Sequence, residues 1–260
     1  MMILSCCIWA LSEPETVAQT KLKDLGFTAF DIRPSLLRSD EANASRKNLG
    51  FDLCCIALTH DRPEGAKIDT DDADRVKLAL DHVKDGLDHA ARLGIQWGYL
   101  VPEPPGDDRT PDRYAEHYAE IAEHGKSRGI KVCIEHFPGT AFPTVASTLD
   151  FIAKTGHDNL YLLFDIGHAQ MADEDPKAEL SAAGDRLGYV HLDDNDGFGD
   201  LHLGLTDGVM TQDSLAYLFQ ALQEIDYVGP VSLEMKDDLP DPFDAIDRSQ
   251  QIVRRLANVS

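Results

Sequence analysis

Basic residues are scarce: 24 Lys and Arg stand against 46 Asp and Glu, for a formal charge of −22 over 260 residues. The few cations are scattered among acids, so no basic face is offered to a phosphate backbone and nucleic acid is not an expected partner. The five cysteines, Cys6, Cys7, Cys54, Cys55 and Cys133, form no CxxC or Cys/His zinc spacing and all lie in apolar runs. Buried, reduced thiols and a cytoplasmic location follow as the expectation. Long hydrophobic runs are missing too, so no membrane span is expected. The opening MMILSCCIWAL lacks a basic start and a small-x-small cleavage site, and reads as a first strand. No Gly/Ser linker, low-complexity tract or strong repeat divides the chain, so residues 1–260 are expected to form a single domain.

What is present is an alternation. Eight short apolar runs cover residues 2–11, 27–33, 51–58, 95–102, 131–137, 160–167, 187–193 and 230–235. Amphipathic stretches separate them. Val76, Leu80, Val83, Leu87 and Ala90 share one helical face, as do Leu215, Leu218, Phe219, Leu222 and Ile225. Val145, Leu149 and Ile152 make a shorter stripe, and Leu180, Ala183 and Leu187 a weaker one. Gly26, Gly50, Gly94, Gly129 and Gly156 stand where helices stop before the next strand. A helix is also expected within residues 35–48, where the periodicity is poor. Nearly continuous apolar strands alternating with helices indicate a parallel sheet, and eight such units in this length favour a closed (β/α)8 TIM barrel.

In such a barrel the working residues sit at the C-terminal strand ends. Those ends carry His60, Glu135 with His136, Asp165, His168, His191 and Glu234. Glu135, Asp165, His191 and Glu234 come from four successive strands and point at one rim, a costly gathering unless a cation or substrate satisfies it. Three carboxylates and one imidazole form a hard site, suited to Mn²⁺ first, with Mg²⁺, Co²⁺ or Zn²⁺ as other occupants. The acidic stretch HLDDNDGFGDLH, residues 191–202, is not an EF-hand loop. With its glycine at Gly197, that loop needs an acid at 192 and a glutamate at 203, and both positions are Leu.

Four segments, IEHFPG (134–139), FDIGHA (164–169), YVHLDDNDGFGDLHLG (189–204) and SLEM (232–235), resemble the xylose-isomerase-like TIM barrels. That family includes sugar phosphate isomerases and epimerases and, more distantly, endonuclease IV. The resemblance covers the second half of the chain, with D-x-x-H on strand six and H-L-x-D on strand seven as its most specific elements. It implies that Glu135, Asp165, His191 and Glu234 hold the metal, that Glu135 and Glu234 are the catalytic acid/base pair, and that His168 touches substrate. The endonuclease branch implies a second metal set of His60, His168, Asp200 and His202. Departures limit both branches: position 141 is Ala and 197 is Gly, where ketose 3-epimerases usually carry Glu and Arg. Strand four ends Tyr99-Leu-Val-Pro102, where the endonucleases need a further histidine.

The expected function is a metal-dependent isomerase or epimerase of a small keto sugar, related polyol or keto acid, working by proton abstraction through an enediolate. His60, His168, Trp97 and Lys236 are assigned to the carbohydrate-like substrate, and Trp9, Tyr99, Phe137 and Phe198 to the pocket walls. A dehydratase of the inosose or dehydroshikimate type and a multi-metal phosphodiester hydrolase of the endonuclease IV type are the alternatives. Homo-oligomerisation is left open.

Overall fold

A computed structural model describes residues 1–257 and 259. Eight parallel strands alternate with helices around a nearly closed barrel. The strands are β1 (Ile3–Cys6), β2 (Ala29–Ile32), β3 (Asp52–Ala57), β4 (Trp97–Leu100), β5 (Lys131–Glu135), β6 (Leu160–Asp165), β7 (Leu187–Leu192) and β8 (Pro230–Leu233). From β2 to β8 each pairs with its neighbour in sequence, and β8 pairs with β1. Between β1 and β2 the closure is a single parallel bridge, Cys7 to Asp31. The helices are α1 (Glu15–Asp24), α2 (Asp40–Leu49), α3 (Ala73–Leu93), α4 (Thr110–Ser127), α5 (Val145–Thr155), α6 (Ile166–Met171), α7 (Pro176–Ala183), α8 (Gln212–Glu224) and α9 (Pro242–Leu256).

Local chemistry sets the helix limits. In α3 the Asp72 carboxylate accepts from the backbone N–H groups of Asp74 and Arg75 at 3.1 and 3.3 Å, and Gly94 closes the helix in the left-handed region at φ 82°. Val83 and Leu87 on its inner face are fully buried, each contributing roughly 1.5–3 kcal/mol. The main apolar core lies between sheet and helices, and a second cluster around Tyr99, Cys133, Leu163 and Tyr189 fills the barrel interior. All five cysteines are buried and unpaired.

Two expectations are corrected and one is given its bounds. The first strand ends at Cys6, because the chain turns into a single 3₁₀ turn at Ile8–Ala10 that carries Trp9 sideways. Residues 40–49 do form a helix despite weak periodicity, since only Ala42 is buried on it and its Ser39 cap and Gly50 stop define it instead. Leu187 does not continue a helical stripe with Leu180 and Ala183: α7 ends at Ala183, and Leu187 opens β7.

Candidate active site

The strand ends bring the four expected ligands together. Glu135 and Asp165 are the last residues of β5 and β6, His191 lies in β7, and Glu234 follows β8. One ligand atom from each lies within 4.8 Å of the others, and all four residues are buried. His191 Nδ1 is the centre of the group. It lies 2.7 Å from Glu234 Oε2, 3.6 Å from Glu135 Oε1 and 3.8 Å from Asp165 Oδ2. Yet neither His191 ring nitrogen makes an aligned hydrogen bond, and Asp165 Oδ2 has no partner. Buried polar atoms left unpaired are costly, and here they converge. The donor set of three carboxylates and one imidazole therefore fits a divalent cation.

The electrostatics of the group are uneven. Burial opposes charge on His191, but Glu234 and Glu135 more than offset it and hold its proton affinity well above the ordinary value. Burial raises the Glu135 pKa, with His191 and His168 only partly opposing. On Glu234 burial acts in the same direction, yet the close contact with His191 and the charges of His191, His202 and His60 win, and its pKa falls below the usual carboxylate range. The two glutamates are thus pushed apart, the arrangement from which an acid and a base are made.

Two further buried residues stand beside this group, and one of them touches it. His136 Nε2 accepts from the Asp165 backbone N–H at 3.2 Å, while the His136 carbonyl accepts from His168 Nδ1 at 2.9 Å. Burial and the nearby His168 lower the His136 pKa to about 3, keeping it neutral and able to accept. Asp193 stands two residues after His191, is fully buried, and lies 2.9 Å from His202 Nδ1. Its role was missed from sequence, although the two-residue period of a strand puts it on the same face as His191. A Cβ at Gly167 would overlap the side chains of Asp193 and Asn195, so the D-x-x-H turn needs glycine there.

A cavity of about 360 Å³ opens above these residues at the C-terminal strand ends. His168, Asp200 and His202 meet in it as a second cluster. His168 Nε2 and Asp200 Oδ1 lie 3.4 Å apart without an aligned hydrogen bond, and His202 Nε2 is 3.0 Å from the same oxygen. Burial would lower the His168 pKa, but Asp165, Asp200 and Glu135 raise it to about 10. Phe137 stacks on the His168 ring at 4.2 Å and does wall the cavity.

The stretch at 191–202 builds its own scaffold. Asp194 Oδ1 accepts from the backbone N–H groups of Asn195 and Met210, its Oδ2 from that of Gly208 at 2.8 Å, and Asn195 Oδ1 receives the N–H of His202 at 3.1 Å. An antiparallel bridge from Asp194 to Leu203 completes the turn.

Other assigned residues land elsewhere. His60 lines the cavity between Trp9 and Tyr99, with ring centroids 5.7 and 6.2 Å away, but belongs to neither metal-type cluster among the described residues. Trp97 opens β4 and packs against Tyr189, so it sits at the opposite end of its strand from the cavity. Lys236 does not line the cavity either: its ammonium donates to the Asp200 carbonyl and ties down the turn. Phe198 is 90% exposed on that turn and walls nothing.

Comparison with known proteins adds relatives to this geometry. Residues 20–256 match a family described as Xylose isomerase-like TIM barrel. An inosose dehydratase of Serratia proteamaculans is 26% identical over 185 residues, covering 64% of this chain and 62% of that protein. An L-ribulose 3-epimerase of Mesorhizobium japonicum is 31% identical over 160 residues, covering 60% of this chain and 50% of that protein. This chain therefore spans less than two thirds of either relative's length. Among solved structures, D-allulose 3-epimerase from Methylomonas sp. in complex with D-allulose superposes with a TM-score of 0.82 at 17% identity, covering 98% of this chain and 97% of that one. A 3-keto-D-glucoside 4-epimerase from E. coli superposes with a TM-score of 0.81 at 20% identity, covering 98% and 100%. At these identities the superpositions show the shared fold.

Proposed function

Because the chain belongs to the xylose isomerase-like TIM-barrel family, we propose that it is a divalent-metal-dependent isomerase or epimerase of a small keto sugar or related polyol or keto acid. One observation carries this reading. Carboxylates from the C-terminal ends of β5 and β8 converge on a single His191 nitrogen at the floor of a small cavity. When bound by Glu135, Asp165, His191 and Glu234, a divalent cation, Mn²⁺ by preference, supplies Lewis-acid stabilisation of the enediolate charge.

The remaining work falls to side chains. Glu234 takes the α-proton onto a carboxylate oxygen, and Glu135, on the other side of the site, returns one. Delivery to the opposite face of the same carbon gives epimerisation, and delivery to the adjacent carbon, with the enediol hydroxyl proton passing to the former carbonyl oxygen, gives isomerisation. His168 Nε2 faces the cavity and donates to a substrate oxygen. His60, kept neutral by burial, offers a further contact. Tyr99 OH donates to Glu234 Oε1 at 3.3 Å and orients it.

A dehydratase is the second reading, supported by His168. As an imidazolium with an unpartnered Nε2 at the cavity, it has a proton to give to a leaving hydroxyl. The test is solvent-deuterium incorporation into a panel of keto sugars and keto-inositols, read by mass spectrometry. Exchange without loss of water supports the isomerase or epimerase, and exchange with loss of water the dehydratase. Absence of exchange from every compound refutes both.

A further inference from the structure

The cavity wall between the β3 and β4 loops holds an ion pair that the proton transfer does not use. Arg62 Nη1 donates to Glu103 Oε1, with the two side chains 26% and 17% exposed, and both residues line the cavity. Glu103 is fixed through its backbone: its N–H donates to Tyr114 OH at 2.8 Å and its carbonyl accepts from the Ala141 N–H at 2.9 Å. The two loops are joined by Arg113, whose Nη1 donates to Asp69 Oδ1 and to Asp107 Oδ1, each at 2.9 Å. Asp69 also receives the Gly106 N–H and the Thr110 hydroxyl, both at 2.7 Å. The pair is therefore part of a rigid wall.

Its significance lies in the charges around it. Arg62 is the only Lys or Arg among the described residues lining the cavity, against Glu103, Glu135, Asp200 and Glu234, and the lining imidazoles of His168 and His202 both lie against Asp200 Oδ1, at 3.4 and 3.0 Å. Of the nearby cations, Lys236 is held on the Asp200 carbonyl, and Arg33 lies over the Trp9 ring at 5.1 Å, outside the cavity lining. Barrels often seat a phosphate on the loops after strands seven and eight. Here those loops carry Asp207, Asp237, Asp238 and Asp241. A phosphate ester needs free donors in a fork or a basic cluster. A hydroxyl, which both donates and accepts, suits an Arg and a Glu already paired with each other.

We propose that the Arg62–Glu103 pair is the charge selector of this cavity, restricting the substrate to an uncharged, unphosphorylated ketose or keto-polyol. The inference rests on the keto-sugar reading above and adds the substrate's charge and the residues that read it. Removing the Glu103 charge frees the guanidinium for an anion. Removing both charges takes that anion site away again.

The experiment compares metal-loaded wild type, Glu103→Gln and the double variant Arg62→Gln/Glu103→Gln. Binding of a ketohexose and of its terminal phosphate ester is measured by calorimetry, with deuterium exchange followed on both. Wild type is expected to favour the neutral sugar by about ten-fold or more, and Glu103→Gln to cut that ratio by about ten-fold through tighter binding of the ester. The double variant is expected to lose the tightening. Wild-type preference for the ester, or a ratio unchanged in Glu103→Gln, overturns the selector while exchange persists. Exchange into neither sugar refutes the keto-sugar reading and takes the selector with it.

Discussion

His191 Nδ1 lies 2.7 Å from Glu234 Oε2, a contact between a β7 imidazole and a carboxylate one residue past β8. Parallel pairing sets it: Leu192 is in register with Leu233, which leaves Glu234 at the lip above His191. With Glu135 and Asp165 beside them, the pair offers three carboxylates and one imidazole to a cation that the unfolded chain cannot gather. Chelation should therefore destabilise the protein. At a free ion concentration near a hundred times Kd the bound cation contributes about 2.7 kcal/mol, so adding EDTA is expected to lower Tm by roughly 5–10 °C. A Tm indifferent to chelator and to added Mn²⁺ would count against the site.

Glu234→Gln keeps the volume and the Tyr99 contact but removes the base. Loss of one acid/base partner is expected to slow proton exchange by roughly 10²–10⁴. Glu135→Gln is expected to do the same, since the proton must be both taken and returned. Metal content measured on each variant separates lost ligation from lost proton transfer. A variant that keeps its metal and its exchange rate refutes the role assigned to that glutamate.

Away from the metal-type cluster, Glu174 gives a pH signature. Its carboxyl accepts from the Val145 N–H at 2.9 Å, and burial, reinforced by Glu179, raises its pKa to about 7 from an ordinary 4.5. The folded state thus holds the proton more tightly than the unfolded chain. The contribution to stability is fully present below about pH 4.5, falls as pH rises through about 7, and is at most about 3 kcal/mol. Glu174→Gln retains an acceptor for Val145 and cannot ionise. Denaturant titrations should find it equal to wild type near pH 4 and more stable at pH 8 by on the order of 1–3 kcal/mol; equal stability at both would show that Glu174 is not strained.

The fold was legible because eight apolar runs alternate with helical stripes, and parallel strands buried on both faces must read that way. The barrel then located Glu135, Asp165, His191 and Glu234, as strand ends are fixed by the apolar runs beneath them. Depth within a strand was less legible. Trp97 and Tyr99 share a face, but β4 begins at Trp97 and packs it, half-buried, against Tyr189. Loop partners were not legible at all. Lys236 and the Asp200 carbonyl, or Arg62 and Glu103, are 36 and 41 residues apart, and no period connects such positions. Asp193 was within reach, because it follows His191 by the strand's own period of two.

The cluster of His168, Asp200 and His202 decides between one bound ion and two. Its atoms are close enough to hold a cation. Its charges argue otherwise, since burial would lower both histidine pKa values, yet Asp165 and Asp200 raise that of His168 to about 10, and Asp193 and Asp200 push His202 well above its ordinary range. Both rings therefore favour the protonated form. His202 Nδ1 is also engaged by the Glu234 carbonyl at 3.0 Å, and His168 Nδ1 by the His136 carbonyl. A second divalent ion would have to displace two protons, and His60 is not there to assist. Equilibrium dialysis with atomic absorption should therefore find one ion per chain, and Asp200→Asn should leave that number unchanged while weakening sugar binding. Two ions per chain, falling to one in Asp200→Asn, would instead favour the multi-metal phosphodiester hydrolase over the epimerase.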